Sequence, residues 1–205
     1  VATILENSRV RVAQALAEEL LGGCGDRWRH TIGVAHRAEE LSATVEPGER
    51  DALVVAAWLH DIGYSPAALD TGFHPLDGAR YLDRHGWPRR IVALVAHHSG
   101  AEPVAAVRGL GEQLNSYPDE RSLVTDALAY ADQTVGPQGQ RLPIRQRLAE
   151  ALARHGAGSP QARAHAVREP RLLAIAERVE RRLAELVSAQ APSSQAADNR
   201  RATPR

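Results

Sequence analysis

Apolar residues recur along this chain at the three- and four-residue spacing of α-helices, almost from end to end. Strand-like alternation is absent from the pattern, so the chain reads as all-α. Between Asn7 and about Leu21, the residues Val10, Val12, Ala13, Leu16, Ala17 and Leu20 make one stripe, ended by Gly22, Gly23 and Gly25. Asp26 reads as the N-cap of a second helix running to about Thr44. Pro47 and Gly48 break the pattern, and a third, very apolar helix runs from about Glu49 to His60 or Ile62, stopping at Gly63. Further helices are expected from near Pro75 to Gly86 and from Arg89 to about Ser99, with Pro88 suited to a first turn. Residues 100–118 read as a loop with short helical turns, followed by a helix from Asp119 to about Gln133 and a polar loop from Gly136 to Leu142. Two last helices, near 143–155 and 160–188, carry dense Arg and Glu, which predicts a solvated face of i,i+4 pairs. Residues 1–187 thus form a single helical domain. From 188 to 205 the composition turns to Ala, Pro, Ser, Gln and Asn, the signature of a disordered tail.

Composition narrows the function classes. The 205 residues carry 25 basic and 25 acidic side chains, a formal net charge of zero. No general attraction to a nucleic-acid polymer or a membrane surface follows from that balance. Every basic residue is arginine. The single cysteine, Cys24, excludes an internal disulfide and a cysteine-based zinc site. No apolar run approaches the roughly 18 residues of a membrane span, and no basic segment followed by an apolar core marks a signal peptide. A cytoplasmic, reducing setting is the expectation.

The chemistry is carried by histidine and aspartate. His60 and Asp61 end the apolar third helix, where an ionised carboxylate is costly unless a cation pairs with it. Successive helical residues point about 100° apart, so the pair suits a metal held in a crevice between helices. His30 lies on the inward face of its helix with Val34 and Leu41. Asp132 lies one turn beyond Leu128 and also faces inward, although an Asp at a helix C-terminus opposes the macrodipole. His74 opens a helix, and the pair His97-His98 closes another. His36, His85, His155 and His165 read as surface residues. Arg37 shares a face with His30; a surface ion pair is favoured for it over contact with an anionic substrate.

Taken in order, His30 … His60-Asp61 … Asp132 resembles the H…HD…D signature of the HD phosphohydrolase superfamily, and His60-Asp61-Ile62-Gly63 is similar to its HDIG variant letter for letter. The resemblance covers roughly residues 26–135 and implies an HD-domain helical bundle with a metal site in its core. Phe73-His74-Pro75-Leu76-Asp77-Gly78-Ala79 resembles the His-x-x-x-Gly-Ala segment of the two-metal branches, and His97-His98 resembles their second inserted site. The resemblance therefore implies one ion on His30, His60, Asp61 and Asp132. It implies a second on Asp61, His74 and either His97 or His98, with Asp61 bridging and orienting metal-activated water. Imidazole and carboxylate donors suit one or two divalent ions of Fe, Mn, Co, Ni or Zn. The implied activity is hydrolysis of a phosphate ester in a nucleotide or small phosphorylated metabolite. A di-iron oxygenase and a non-catalytic ligand-sensing module are the alternatives. The Gly-Tyr-Pro hallmark of HD-GYP phosphodiesterases is missing, since His97-His98 leads to Ser99-Gly100-Ala101.

Overall fold

The computed structural model of the chain describes residues 2–190. Among these residues ten α-helices are joined by short loops and 3-10 turns. Among the described residues there is no strand, only an isolated bridge between Val135 and Arg141. No helix among them is long and apolar enough to cross a membrane.

Helix α3 (Arg50–Leu59) sits at the centre, because Leu53 through Leu59 are buried without interruption and no polar face is left to meet water. Helices α1 (Ala2–Leu21), α2 (Asp26–Leu41), α5 (Arg89–His97) and α8 (Leu123–Gln133) pack around it. Helix α4 (His74–Arg84) lies against α5 and against the 3-10 turn Ile62–Tyr64 that follows His60-Asp61. The last two helices, α9 (Ile144–His155) and α10 (Pro160–Gln190), close over α8, with α10 also touching α6 (Ala101–Arg108). The short α7 (Gly111–Leu114) completes the chain of elements. The core is continuous from Ala13 in α1 to Val179 in α10.

Several boundaries move from their sequence-based positions, each for a local reason. Residues 101–108 form a full helix rather than loop, bracketed by Gly100 and Gly109 at φ 64° and 71°, left-handed positions that suit glycine. Helix α8 starts at Leu123, not Asp119, because Ser122 and Thr125 form a reciprocal capping box. Asp26 is the first helical residue of α2 rather than its cap; Gly25 takes the cap position without a side-chain bond. Of the expected tail, Ser188–Gln190 still belong to α10, and residues 191–205 lie outside the described residues.

The glycine that follows His-Asp-Ile has a specific task. A Cβ on Gly63 would stand 2.0 Å from the His74 carbonyl oxygen and 2.7 Å from the Gly78 amide nitrogen. Only a residue without a side chain lets the turn after Asp61 touch the first turns of α4. That contact sets His74 beside Asp61. Gly63→Ala is expected to cost about 1–3 kcal/mol, since the obstruction is backbone and cannot be relieved by a rotamer change. Gly48→Ala, with nothing within 4 Å, serves as the neutral comparison in thermal unfolding followed by circular dichroism.

Candidate metal centre

Three histidines converge beneath α3 and α8 in the same manner. His60 places Nδ1 2.7 Å from the Ala57 carbonyl, His98 places Nδ1 2.6 Å from the Val95 carbonyl, and His30 places Nδ1 3.2 Å from the Gly136 carbonyl. A carbonyl only accepts, so Nδ1 donates in each ring, and Nε2 is left facing inward toward the carboxylates. His30 Nε2 stands 3.0 Å from Asp132 Oδ1. His60 Nε2 is buried without a hydrogen-bond partner. His74 Nε2 and His98 Nε2 face each other at 3.2 Å, so a proton or a cation is needed between them.

The donors fall into two groups, His30–His60–Asp132 and Asp61–His74–His98, each with ligand atoms mutually within 4.8 Å. Asp61 stands between them. Its Oδ2 faces His60 Nε2 at 3.3 Å and His30 Nε2 at 3.8 Å. Its Oδ1 faces His74 Nε2 at 3.3 Å and His98 Nε2 at 3.8 Å. An orphaned imidazole nitrogen, opposed lone pairs and two buried carboxylates make up a donor set that fits divalent cations.

The electrostatics agree with that fit. Burial presses the Asp61 carboxyl upward, but Arg27, His60 and His74 overcome it and hold it well below the usual range. Burial likewise opposes ionisation of Asp132, and the His30 hydrogen bond and the His60 charge outweigh it. Burial drives His98 down to about 4, helped by His60, and drives His74 well down against the pull of Asp61. These are the ionised carboxylates and neutral imidazoles that metal binding requires. His60 alone is raised, because Asp61 and Asp132 outweigh its burial.

Two candidate residues lie away from the cluster. His97 turns away, with Nε2 donating to the Tyr117 carbonyl at 2.8 Å. At the end of α5 the adjacent side chains diverge, and only His98 reaches Asp61. Arg37 makes the ion pair favoured for it, with Glu40 at 2.7 Å, and lies over the Tyr130 ring; it does not line the His–Asp cleft.

Other residues at the site were not singled out from the sequence. The cleft above the His–Asp floor holds about 730 Å³ of empty space out to its mouth, and its lining includes Arg27, Tyr64, Arg147, Arg154 and Arg168. Arg27 bonds Asp61 Oδ2 and lies 3.9 Å from the centre of the Tyr64 ring. Tyr64 in turn stacks on His74. Gln133 Nε2 donates to Asp132 Oδ2 at 2.8 Å and to Ser99 Oγ at 2.6 Å, and Arg168 donates to the carbonyl and hydroxyl of Ser99. The supposed solvated face of α9 and α10 is therefore in part the cleft wall: Arg147 is only 4% exposed. His155, exposed as expected, and the half-buried His165 also line the cleft. The mixture of Arg and Glu in both helices concealed this face, because the same composition describes a solvated one.

A helical cradle of buried histidine and aspartate groups that could hold metal ions is the class of site this geometry defines. The family model described as HD domain matches residues 27–182, and the chain belongs to the HD-domain family. The match runs past Asp132 through α9 and most of α10, so both closing helices fall within it. Its fold is of the metal-dependent hydrolase type. Searches of curated proteins and of solved structures returned no significant match.

His98→Ala is expected to lower bound metal by about one equivalent, as is His74→Ala, by removing a ligand of one ion only. His97→Ala should leave metal content unchanged. Elemental analysis of the three variants checks this, and the reverse order for His97 and His98 would overturn the assignment.

Proposed function

We propose that this protein is a binuclear metal-dependent hydrolase of phosphate esters. The observation that carries the reading is Asp61, whose two oxygens face two separate imidazole groups across one carboxylate. His30, His60 and Asp132 would hold one ion, and His74 and His98 the other, with Asp61 shared. Divalent ions so placed supply Lewis acidity and a nucleophile from water at neutral pH. The chain's own residues orient and enclose. Gln133 fixes one oxygen of Asp132 while His30 takes the other. Arg27, poised between Asp61 and the open cleft, suits the non-bridging oxygens of a phosphoryl group. Helices α9 and α10 narrow the cleft against water.

The four arginines of the cleft favour a phosphate ester over the uncharged substrate that an oxygenase would accept. Small phosphorylated metabolites or nucleotides are the substrates we expect. Protein purified without chelator should carry about two equivalents of metal, chiefly Fe, Mn or Co. It should then release phosphate from a panel of monoesters and diesters, and Asp61→Asn should lower that rate by at least about 100-fold. Oxygen uptake with substrate loss but no phosphate release would replace this reading with a di-iron oxygenase. Metal binding with neither activity would make the protein a ligand sensor.

A further inference from the structure

The cleft carries more positive charge than one phosphoryl group at the metal ligands calls for. Its lining contains four arginines and only two carboxylates, Asp61 and Asp132, both within the metal-ligand groups. The chain as a whole is neutral, so this excess is local. One of the four, Arg27, is engaged with Asp61. The other three, Arg147, Arg154 and Arg168, come from the closing helices α9 and α10.

None of these three meets a carboxylate inside the cleft. Arg168 is fixed by its bonds to the Ser99 carbonyl and hydroxyl, both uncharged. Arg147 is anchored by Nε on the Val135 carbonyl at 2.7 Å. Glu150 reaches Arg147 at 3.4 Å and Arg154 at 3.6 Å, but it lines the neighbouring cleft rather than this one. Arg147 and Arg168 are thus held in place largely by neutral backbone and hydroxyl groups. One carboxylate, Glu150, is shared by Arg147 and Arg154, and Arg168 bonds only neutral groups, so the three guanidinium groups keep a net positive charge. Burial and mutual repulsion show the cost: Arg154 is pushed below the usual arginine range by burial and by Arg147. Arg168 is pushed down by burial and by Arg147 against the pull of Asp132. His155 and His165 add imidazoles to the same lining.

We propose that Arg147, Arg154 and Arg168 form a second phosphate subsite, and that the ligand of this cleft carries at least two phosphate groups in a chain. One group would lie at the metal ligands beside Arg27, and the next beneath the arginines of α9 and α10. The inference deepens the hydrolase reading by naming the substrate class, an oligophosphate, and it rests on that reading for the position of the first group only.

The probes are inorganic orthophosphate and inorganic tripolyphosphate, titrated by calorimetry into the full-length protein as purified and again after chelation. Metal content and far-ultraviolet circular dichroism are recorded in each state. Tripolyphosphate is expected to bind at least about tenfold more tightly than orthophosphate in both states, since each charge-assisted contact is worth roughly that factor. Arg154→Ala, at an accessible position, and Arg168→Gln should each erase most of the preference. Arg121→Ala, a highly exposed arginine elsewhere, should keep it. If Arg168→Gln fails to fold, Arg154→Ala alone decides. Equal affinities in the wild type, a preference present only with metal, or one retained in Arg154→Ala would each overturn the subsite. Phosphate release from a simple monoester without a tripolyphosphate preference sinks the subsite and leaves the hydrolase reading standing. The preference without any hydrolysis does the opposite.

Discussion

Two carboxylates buried at the heart of a helical bundle set the terms for everything around them. Asp61 and Asp132 are 2% and 5% exposed, at the ends of the two helices that cross the centre. Taking an ionised carboxylate out of water costs on the order of several kcal/mol. Arg27, His30, His60, His74 and His98 all stand within reach of these two groups. Neutral imidazoles offset little of that cost by themselves, whereas a divalent ion between carboxylate and imidazole offsets it directly. A centre of this kind would gain from a bound cation, and the surrounding apolar helices hold its donors in place.

Precise placement of the donors comes from backbone rather than from other side chains. Nδ1 of His30, His60 and His98 each points at a main-chain carbonyl, so helix geometry itself fixes the rings. The close approach at Gly63 brings α4 against the turn after Asp61, which fixes His74 relative to that carboxylate. From the floor, a hydrogen-bonded path runs through Asp132, Gln133 and Ser99 to Arg168 on α10. Floor and roof are thereby held in one register. The neutral total charge of the chain hides a sharp segregation, with carboxylates at the floor and guanidinium groups above them.

Much of this was legible in the sequence. The uninterrupted apolar run of Leu53 to Leu59 could belong only to a buried helix, and it ended in His60-Asp61. The inward faces of His30 and Asp132 followed from helical periodicity, because a period of 3.6 residues ties angular position to residue number. Gly63 and Gly78 were visible as letters of a motif, but their close contact was not. Residues 100–118 were misread because two glycines at left-handed angles look like loop when they bracket a short helix.

What the sequence by itself determined was the helical class, the central helix and most of the residues that meet in the His–Asp cluster, all of which depend on local spacing along one element. Tertiary structure decided the rest. It chose His98 over His97, since neighbouring side chains diverge and only the packing of α5 says which one meets Asp61. It sent Arg37 to Glu40 and Tyr130. It also turned an apparently solvated face of α9 and α10 into the roof of the cleft. Interspersed Arg and Glu satisfy water and a charged cavity equally well, so the direction in which such a face looks is set by the helices it packs on, not by its own residues.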